Sequence, residues 1–197
     1  DMTTFVAASK PMHETHRVAV DGAVDADGHI LEPPTLWEDY IDPAFRDRAL
    51  RIVVDENGLE ELEIDGRRST MSRRGFPSTL GAMGYPDLPA LQKDPERTYL
   101  REAPYGTMHA QERLDVLDAE NIDMAILYTT VGLLWEAEVT DPALSQAYTK
   151  AYNRWITEFC ADTSRLVPTA HLSLSDPAAA AAELERAVND GAKGAYV

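Results

Sequence analysis

Ile122-Asp-Met-Ala-Ile-Leu-Tyr-Thr129 is the stretch on which the fold turns. A short, mostly apolar run of this kind reads as a strand buried on both faces, the pattern of a parallel sheet. Just before it, Leu114, Val116 and Leu117 place apolar groups on one face of a short helix that starts at Gln111 and stops near Asn121. Asn tolerates the left-handed conformation that ends many helices. Just after it, Asp141-Pro142 opens a long helix: the Asp side chain caps free amides, and Pro fits the first turn. Along that helix Leu144, Tyr148, Ala151, Tyr152, Trp155, Ile156 and Phe159 recur at helical spacing on one stripe. Leu166–Leu174 reads as the next strand. Asp176-Pro177 starts another helix with Leu184, Ala187 and Val188 inward and Gly191 as its stop, and Gly194-Ala-Tyr-Val197 begins a further strand.

Toward the N-terminus, Val18–Ile30 carries apolar residues into Asp25-Ala-Asp-Gly-His29, a strand that ends in polar groups. Glu32-Pro33-Pro34 stops it, because proline offers no backbone donor and restricts its neighbour. Residues 50–66 read as a β-hairpin, Leu50–Val54 and Leu59–Ile64 flanking the turn pair Asn57-Gly58. From Arg67 to Ala110 regular signals fade into Gly, Pro, Arg and Tyr, a loop too long to be an idle connection. Alternating strands and helices imply parallel strands with right-handed crossovers. The expected class is α/β, a (β/α)8 TIM-barrel-like fold. A full barrel takes about 250 residues, so about four βα units are present, with an inserted hairpin and loop over 50–110. Residues 1–20 read as an N-terminal arm, and 21–197 as the N-terminal half of a single barrel domain. Half a barrel leaves strand edges unpaired and inner side chains wet, so a continuing chain or a second polypeptide is expected to complete it.

Composition narrows the functional classes. With a formal charge of −16, neither nucleic acid nor an anionic membrane is expected as the main partner, since both ask for basic surface. No window approaches eighteen consecutive apolar residues, so no transmembrane helix is expected. The first ten residues lack the basic-then-apolar order of a secretory signal. The lone Cys160 cannot form an intrachain disulfide, and a cytoplasmic setting is expected.

The chemistry-bearing residues cluster at the end of the first strand. In Asp25-Ala-Asp27-Gly-His29 the odd positions share one strand face, so the Asp27 carboxylate and the His29 imidazole can reach one divalent cation. Parallel barrels place their sites at the carboxyl ends of the strands, where this motif falls. The plainer reading is two polar strand-end residues bonded to a neighbouring loop. Glu32 can reach the same site or a second metal, or bond to backbone amides. Arg67, Arg68, Arg73 and Arg74 form the one basic cluster, suited to a substrate carboxylate or phosphate, or to a solvated loop. His171 lies near a strand end and either contacts the site or is a buried, hydrogen-bonded core histidine. His109 reads as a loop contact or plain surface, and His13 and His16 lie on the arm.

Val24-Asp-Ala-Asp-Gly-His-Ile-Leu-Glu-Pro33, with Arg113–Tyr128, Tyr152-Asn-Arg-Trp-Ile through Arg165-Leu-Val-Pro, and Gly191–Val197, resembles the amidohydrolase-related family that includes aminocarboxymuconate semialdehyde decarboxylase. The resemblance covers most of residues 20–197 outside the variable loop. It implies a first strand whose His-x-His pair binds a catalytic metal; here Asp27 stands in the first His slot and His29 keeps the second. Some decarboxylating relatives carry Glu in that first slot. A hard oxygen ligand there suits Mn²⁺ or Fe²⁺ as well as Zn²⁺. The family's remaining metal ligands and catalytic His would lie beyond Val197. The implied function is a metal-dependent hydrolase acting on an ester, thioester or amide of an anionic small molecule. The alternatives are a non-oxidative decarboxylase of an aromatic or unsaturated acid and a non-catalytic half-barrel subunit. A homo-oligomer is expected.

Overall fold

A computed structural model describes residues 10–82 and 87–197. Four parallel strands form the main sheet in the order β1 (Ala23–His29), β5 (Ile122–Tyr128), β6 (Leu166–His171) and β7 (Gly194–Tyr196). Between β1 and β5 the chain makes α1 (Leu36–Tyr40), a 3-10 turn (Pro43–Arg48), strands β2 (Arg51–Val54), β3 (Glu60–Ile64) and β4 (Arg67–Arg68), and helices α2 (Phe76–Gly81), α3 (Leu88–Leu91), α4 (Tyr99–Glu102) and α5 (Ala110–Glu120). Then come a second 3-10 turn (Val131–Leu133), α6 (Pro142–Phe159) between β5 and β6, and α7 (Pro177–Asn189) between β6 and β7. The main sheet is that of a partial (β/α) barrel.

Local chemistry places the helices where the sequence puts them. Asp141 and Asp176 each accept a backbone amide in the first turn of α6 and α7, with proline following. Asn121 ends α5 in the left-handed conformation at φ 59°. Its side-chain amide donates to the Val18 and Val20 carbonyls, so the last part of the expected arm is pinned to the barrel. Residues 1–9 of that arm lie outside the described residues.

The helix layer covers one side of the sheet. Ala125 and Leu127 join Leu144, Ala151, Ile156 and Leu166 in the main core. Ala170 packs with Ala187 and Ala192 in a smaller one. On the other side, Met124, Ile126 and Tyr128 are only half-buried. The expected strand buried on both faces is therefore corrected: among the described residues no second layer covers the inner face, and the apolar run alternates between a sealed and an open side.

The insertion is more ordered than the sequence suggests. The hairpin carries a third strand, β3 to β4, through Asp65 and Gly66 at φ 54° and 67°. Two successive positive φ values make a tight primed turn of the kind Asp-Gly favours. The 55–58 turn instead folds around the Asp55 carboxylate, which accepts the amides of Asn57 and Leu59. Three short helices occupy the stretch expected as loop, of which residues 83–86 lie outside the described residues. Arg48 fastens this sheet to the barrel by reaching Asp65 at 2.6 Å and Asp141 at 2.8 Å.

Candidate metal centre

The register of β1 against β5 slips between Asp25 and Gly28. Gly28 makes the slip possible: a Cβ there would lie 2.9 Å from the Ile126 carbonyl and 3.0 Å from an Asp25 oxygen. Asp25 in turn accepts the Asp27 amide at 3.1 Å and faces Arg113 at 3.6 Å. The result is a strand end that projects Asp27, whose side chain is 91% exposed, beside His29, with Asp27 Oδ1 3.8 Å from His29 Nε2. Register pairs His29 with Tyr128 of β5.

His29 is held from behind. Its Nδ1 lies 3.1 Å from the Thr130 hydroxyl, in the segment that follows β5. With Nδ1 engaged there, Nε2 is the nitrogen turned toward Asp27. An imidazole fixed through one nitrogen by an outer partner while the other faces a carboxylate is a common preparation for a divalent cation. Two donors are fewer than the three protein ligands of a catalytic zinc site. Among the described residues no cluster of three or more His, Cys, Asp or Glu side chains could hold a metal ion. Asp27 and His29 thus offer two donors of the types that bind divalent cations, short of a complete ligand set.

Glu32 sits 1% exposed, and its carboxylate accepts the Thr129 hydroxyl and the amides of Thr130, Val131 and Gly132, the last three at 2.9–3.0 Å. Of the two roles open to it in the sequence, the geometry supplies bonding to backbone amides.

His171 ends β6 with 2% exposure. Alternation sets it on the side of the strand opposite Ala170, away from α7. Its ring stacks on Tyr196 at 4.7 Å, lies 5.3 Å from Trp135, and brings Nε2 to 3.4 Å from Glu136. That contact is the leading cause holding the Glu136 carboxyl below the usual carboxylate range. Asn153 of α6 clamps the backbone, accepting the His171 amide and donating to its carbonyl. His29, Tyr128, Tyr196 and His171 form a chain of neighbouring rings along the strand ends, with centroid separations of 6.4, 5.8 and 4.7 Å.

Three of the four arginines meet carboxylates of the hairpin. Arg68 pairs with Glu61 at 2.8 Å and Glu56 at 3.6 Å; Arg74 meets Asp55, Glu56 and Glu61 at 3.3–3.6 Å; Arg67 lies 3.5 Å from Asp65. Arg73 is exposed. Arg67 and Arg68 line an open cleft of about 200 Å³ with Thr70, Met71 and Glu138. No hydrogen bond or ion pair joins the four arginines to Asp27 or His29 among the described residues. The link is indirect: Glu138, on the segment carrying Thr130, accepts from Ser69 and Thr70. His109 is half-buried ahead of α5, and His13 and His16 are exposed. Sequence reasoning missed Thr130, Glu136 and Asn153. Their only signal was position, since the loops after barrel strands carry function in this architecture.

The chain matches no described protein family and no curated protein. Among solved structures it is similar to an amidohydrolase from Mycobacterium avium subsp. paratuberculosis K-10, at 23% identity and a TM-score of 0.69, over 90% of this chain and 50% of that one. A 2,6-dihydroxybenzoate decarboxylase from Rhizobium is also found, at 20% identity over 89% of this chain and 38% of that one; its TM-score of 0.45 is too low to carry an argument. No helix among the described residues is long and apolar enough to cross a membrane. The chain thus shares the fold of part of a known amidohydrolase structure, spanning about half of that protein's length.

Proposed function

We propose that this chain is the metal-binding N-terminal portion of a (β/α)8 hydrolase of the amidohydrolase superfamily, acting on an ester, thioester or amide of an anionic small molecule. The observation that carries the reading is the pairing of Asp27 and His29 at the carboxyl end of β1, with Nε2 3.8 Å from the carboxylate and Nδ1 held by Thr130. The first-strand resemblance and the fold shared with an amidohydrolase structure support it. A bound divalent cation, Zn²⁺, Mn²⁺ or Fe²⁺, would polarise the scissile carbonyl and make water acidic enough to attack at neutral pH. Asp27 and His29 would hold that ion. Tyr128, Tyr196 and His171 would wall the substrate along the strand ends. The remaining ligands and a cover for the open inner face would come from further strands, as continuing chain or as a second polypeptide, within a homo-oligomer.

The test is metal analysis and intact mass of the purified protein, followed by assay on esters, thioesters and amides with and without a carboxylate. Metal at one or more ions per site, with metal-dependent hydrolysis, supports the reading. Carbon dioxide released from aromatic or unsaturated acids, without hydrolysis, assigns the protein as a decarboxylase instead. Absence of any tightly held metal overturns both enzyme readings and leaves a non-catalytic half-barrel.

A further inference from the structure

We infer that Glu32 and Thr130 form a mount that positions His29 for metal binding, with Glu32 acting through Thr130 rather than as a ligand; the inference rests on the proposed metal site. The Glu32 carboxylate is buried and spends its capacity on four donors in one short segment, Thr129 to Gly132. Three of those donors are consecutive backbone amides, which no strand or full helix would satisfy at this point in the chain. Gathering them around one anion fixes the backbone of the segment. Gly132 completes the wrap, because a Cβ there would collide with the Thr129 hydroxyl oxygen and lie 3.3 Å from Glu32 Oε1.

That fixed backbone presents one side chain to the candidate centre, the Thr130 hydroxyl, 3.1 Å from His29 Nδ1. For Nε2 to offer a lone pair to a cation, Nδ1 must carry the ring proton, and the Thr130 oxygen is in place to accept it. The carboxylate, the segment and the imidazole thus form a relay of position, built from residues about 100 apart in the sequence. Glu32 itself is turned away from coordination. Its Oε1 receives three donors and Oε2 a fourth, and the whole residue is sealed. Tyr99 adds a further tie, its hydroxyl donating to the Glu32 carbonyl at 3.0 Å.

The experiment titrates the complete, metal-stripped protein with Co²⁺, read by its visible absorption, and with Zn²⁺ by competition. Thr130→Val keeps the shape and the backbone amide but removes the hydroxyl. It is expected to weaken metal binding about 10–100-fold, the usual loss when an outer partner of a ligating histidine is removed. Thr130→Ser, which restores a hydroxyl, is expected to stay within about threefold of the native protein. Glu32→Gln is expected to weaken binding over a similar range and to speed hydrogen exchange at the amides of residues 130–132. Because both act on one hydroxyl, the double variant is expected to lose little more than either single one. A native protein that takes up metal while Thr130→Val binds equally well overturns this inference alone. Additive losses in the double variant would show that Glu32 acts independently of Thr130, which also overturns it. A native protein that takes up no metal overturns the metal-site reading itself, and this inference with it.

Discussion

Two histidines end neighbouring parts of the same sheet, and almost everything about their surroundings is reversed. His29 closes β1 with its side chain 31% exposed, beside a carboxylate that is 91% exposed. His171 closes β6 at 2% exposure, under Trp135 and against Tyr196, with Nε2 facing the less exposed Glu136. At His29 Nδ1 is engaged by Thr130 and Nε2 is turned toward the exposed Asp27. At His171 Nε2 meets Glu136 while Nδ1 has no hydrogen-bond partner among the described residues. The backbone of His29 follows a slipped strand edge; that of His171 is clamped by the Asn153 amide on both sides. Residue type alone therefore does not mark a site. An open imidazole with one nitrogen fixed keeps the other available, whereas a sealed one is first a part of the packing.

The largest expected effect comes from removing the wall that makes His171 different. Trp135 is 1% exposed, and its ring meets Tyr148 edge-on at 5.2 Å. Trp135→Ala is expected to cost about 3–5 kcal/mol of stability, from lost burial and the cavity left behind. Denaturant unfolding measures it. In that variant His171 is expected to become as accessible to histidine-modifying reagents as His29, whereas unchanged protection would show that the ring wall is not what seals it. Next is His29→Ala, expected to weaken metal binding by more than about 100-fold, beyond the loss of an outer partner, with the melting transition nearly unmoved. His171→Ala is expected to show the converse, reduced stability and native metal content. Metal loading unchanged in an Asp27→Ala, His29→Ala double variant would remove the basis for contrasting the two ends.

Asn153→Ala follows, at about 1–3 kcal/mol, because it removes the side-chain partner of the buried His171 amide and carbonyl, while Glu183 keeps Arg186 on both oxygens. Equilibrium unfolding gives the value, and a change below that range would mean water replaces the clamp. The acid response is smaller. Glu136 has its carboxyl lowered by the His171 contact, so the stability this pairing supplies is present above the ordinary value of 4.5 and is lost as pH falls through the lower folded value. Glu136→Gln is expected to flatten that part of the stability profile below about pH 4.5 and leave the neutral region little altered.

The contrast also explains what could be read ahead of the structure. The helices were legible because their ends are local chemistry: Asp-Pro at 141–142 and 176–177 and Asn at 121 act on amides a few residues away. The adjacency of Asp27 and His29 was legible for the same reason, since period-2 alternation is a short-range rule, but strand ends were not: β6 stops at His171 rather than Leu174. The third strand of the hairpin was missed although Asp65-Gly66 carried a turn signal, because two-residue strands offer no pattern to read. Among the described residues β5 is sealed on one face and half-buried on the other, since an apolar run does not itself supply the second layer. Thr130, Glu136 and Asn153 were invisible because their partners lie 101, 35 and 18 residues away, separations only the folded sheet closes.

The smallest predicted effect concerns the four arginines, where the sequence left substrate binding or a solvated loop open and the structure pairs Arg67, Arg68 and Arg74 with hairpin carboxylates. Arg68 and Arg74 are committed to Glu56, Glu61 and Asp55. Asp55 and Glu61 are buried, but both guanidinium groups are about half exposed and screened by solvent. At roughly 0–1 kcal/mol for each such screened pair, Arg68→Ala and Arg74→Ala are expected to shift unfolding only slightly. Arg67 reaches Asp65 only at 3.5 Å with its side chain 67% exposed, and Arg73 is exposed as well. If an anionic substrate is read from this side, those two retain donors to do it, and their Ala variants are expected to raise KM about 2–5-fold, equivalent to a weak screened contact of the same order as an exposed pair. Such a rise should fade with added salt and spare neutral analogues. Neither Arg67 nor Arg73 bonds to Glu138 or to the segment bearing Thr130 among the described residues, so neither substitution should move metal affinity. Equal KM changes for neutral and anionic substrates would reduce the cluster to hairpin ion pairs and leave substrate recognition to the ring-lined strand ends.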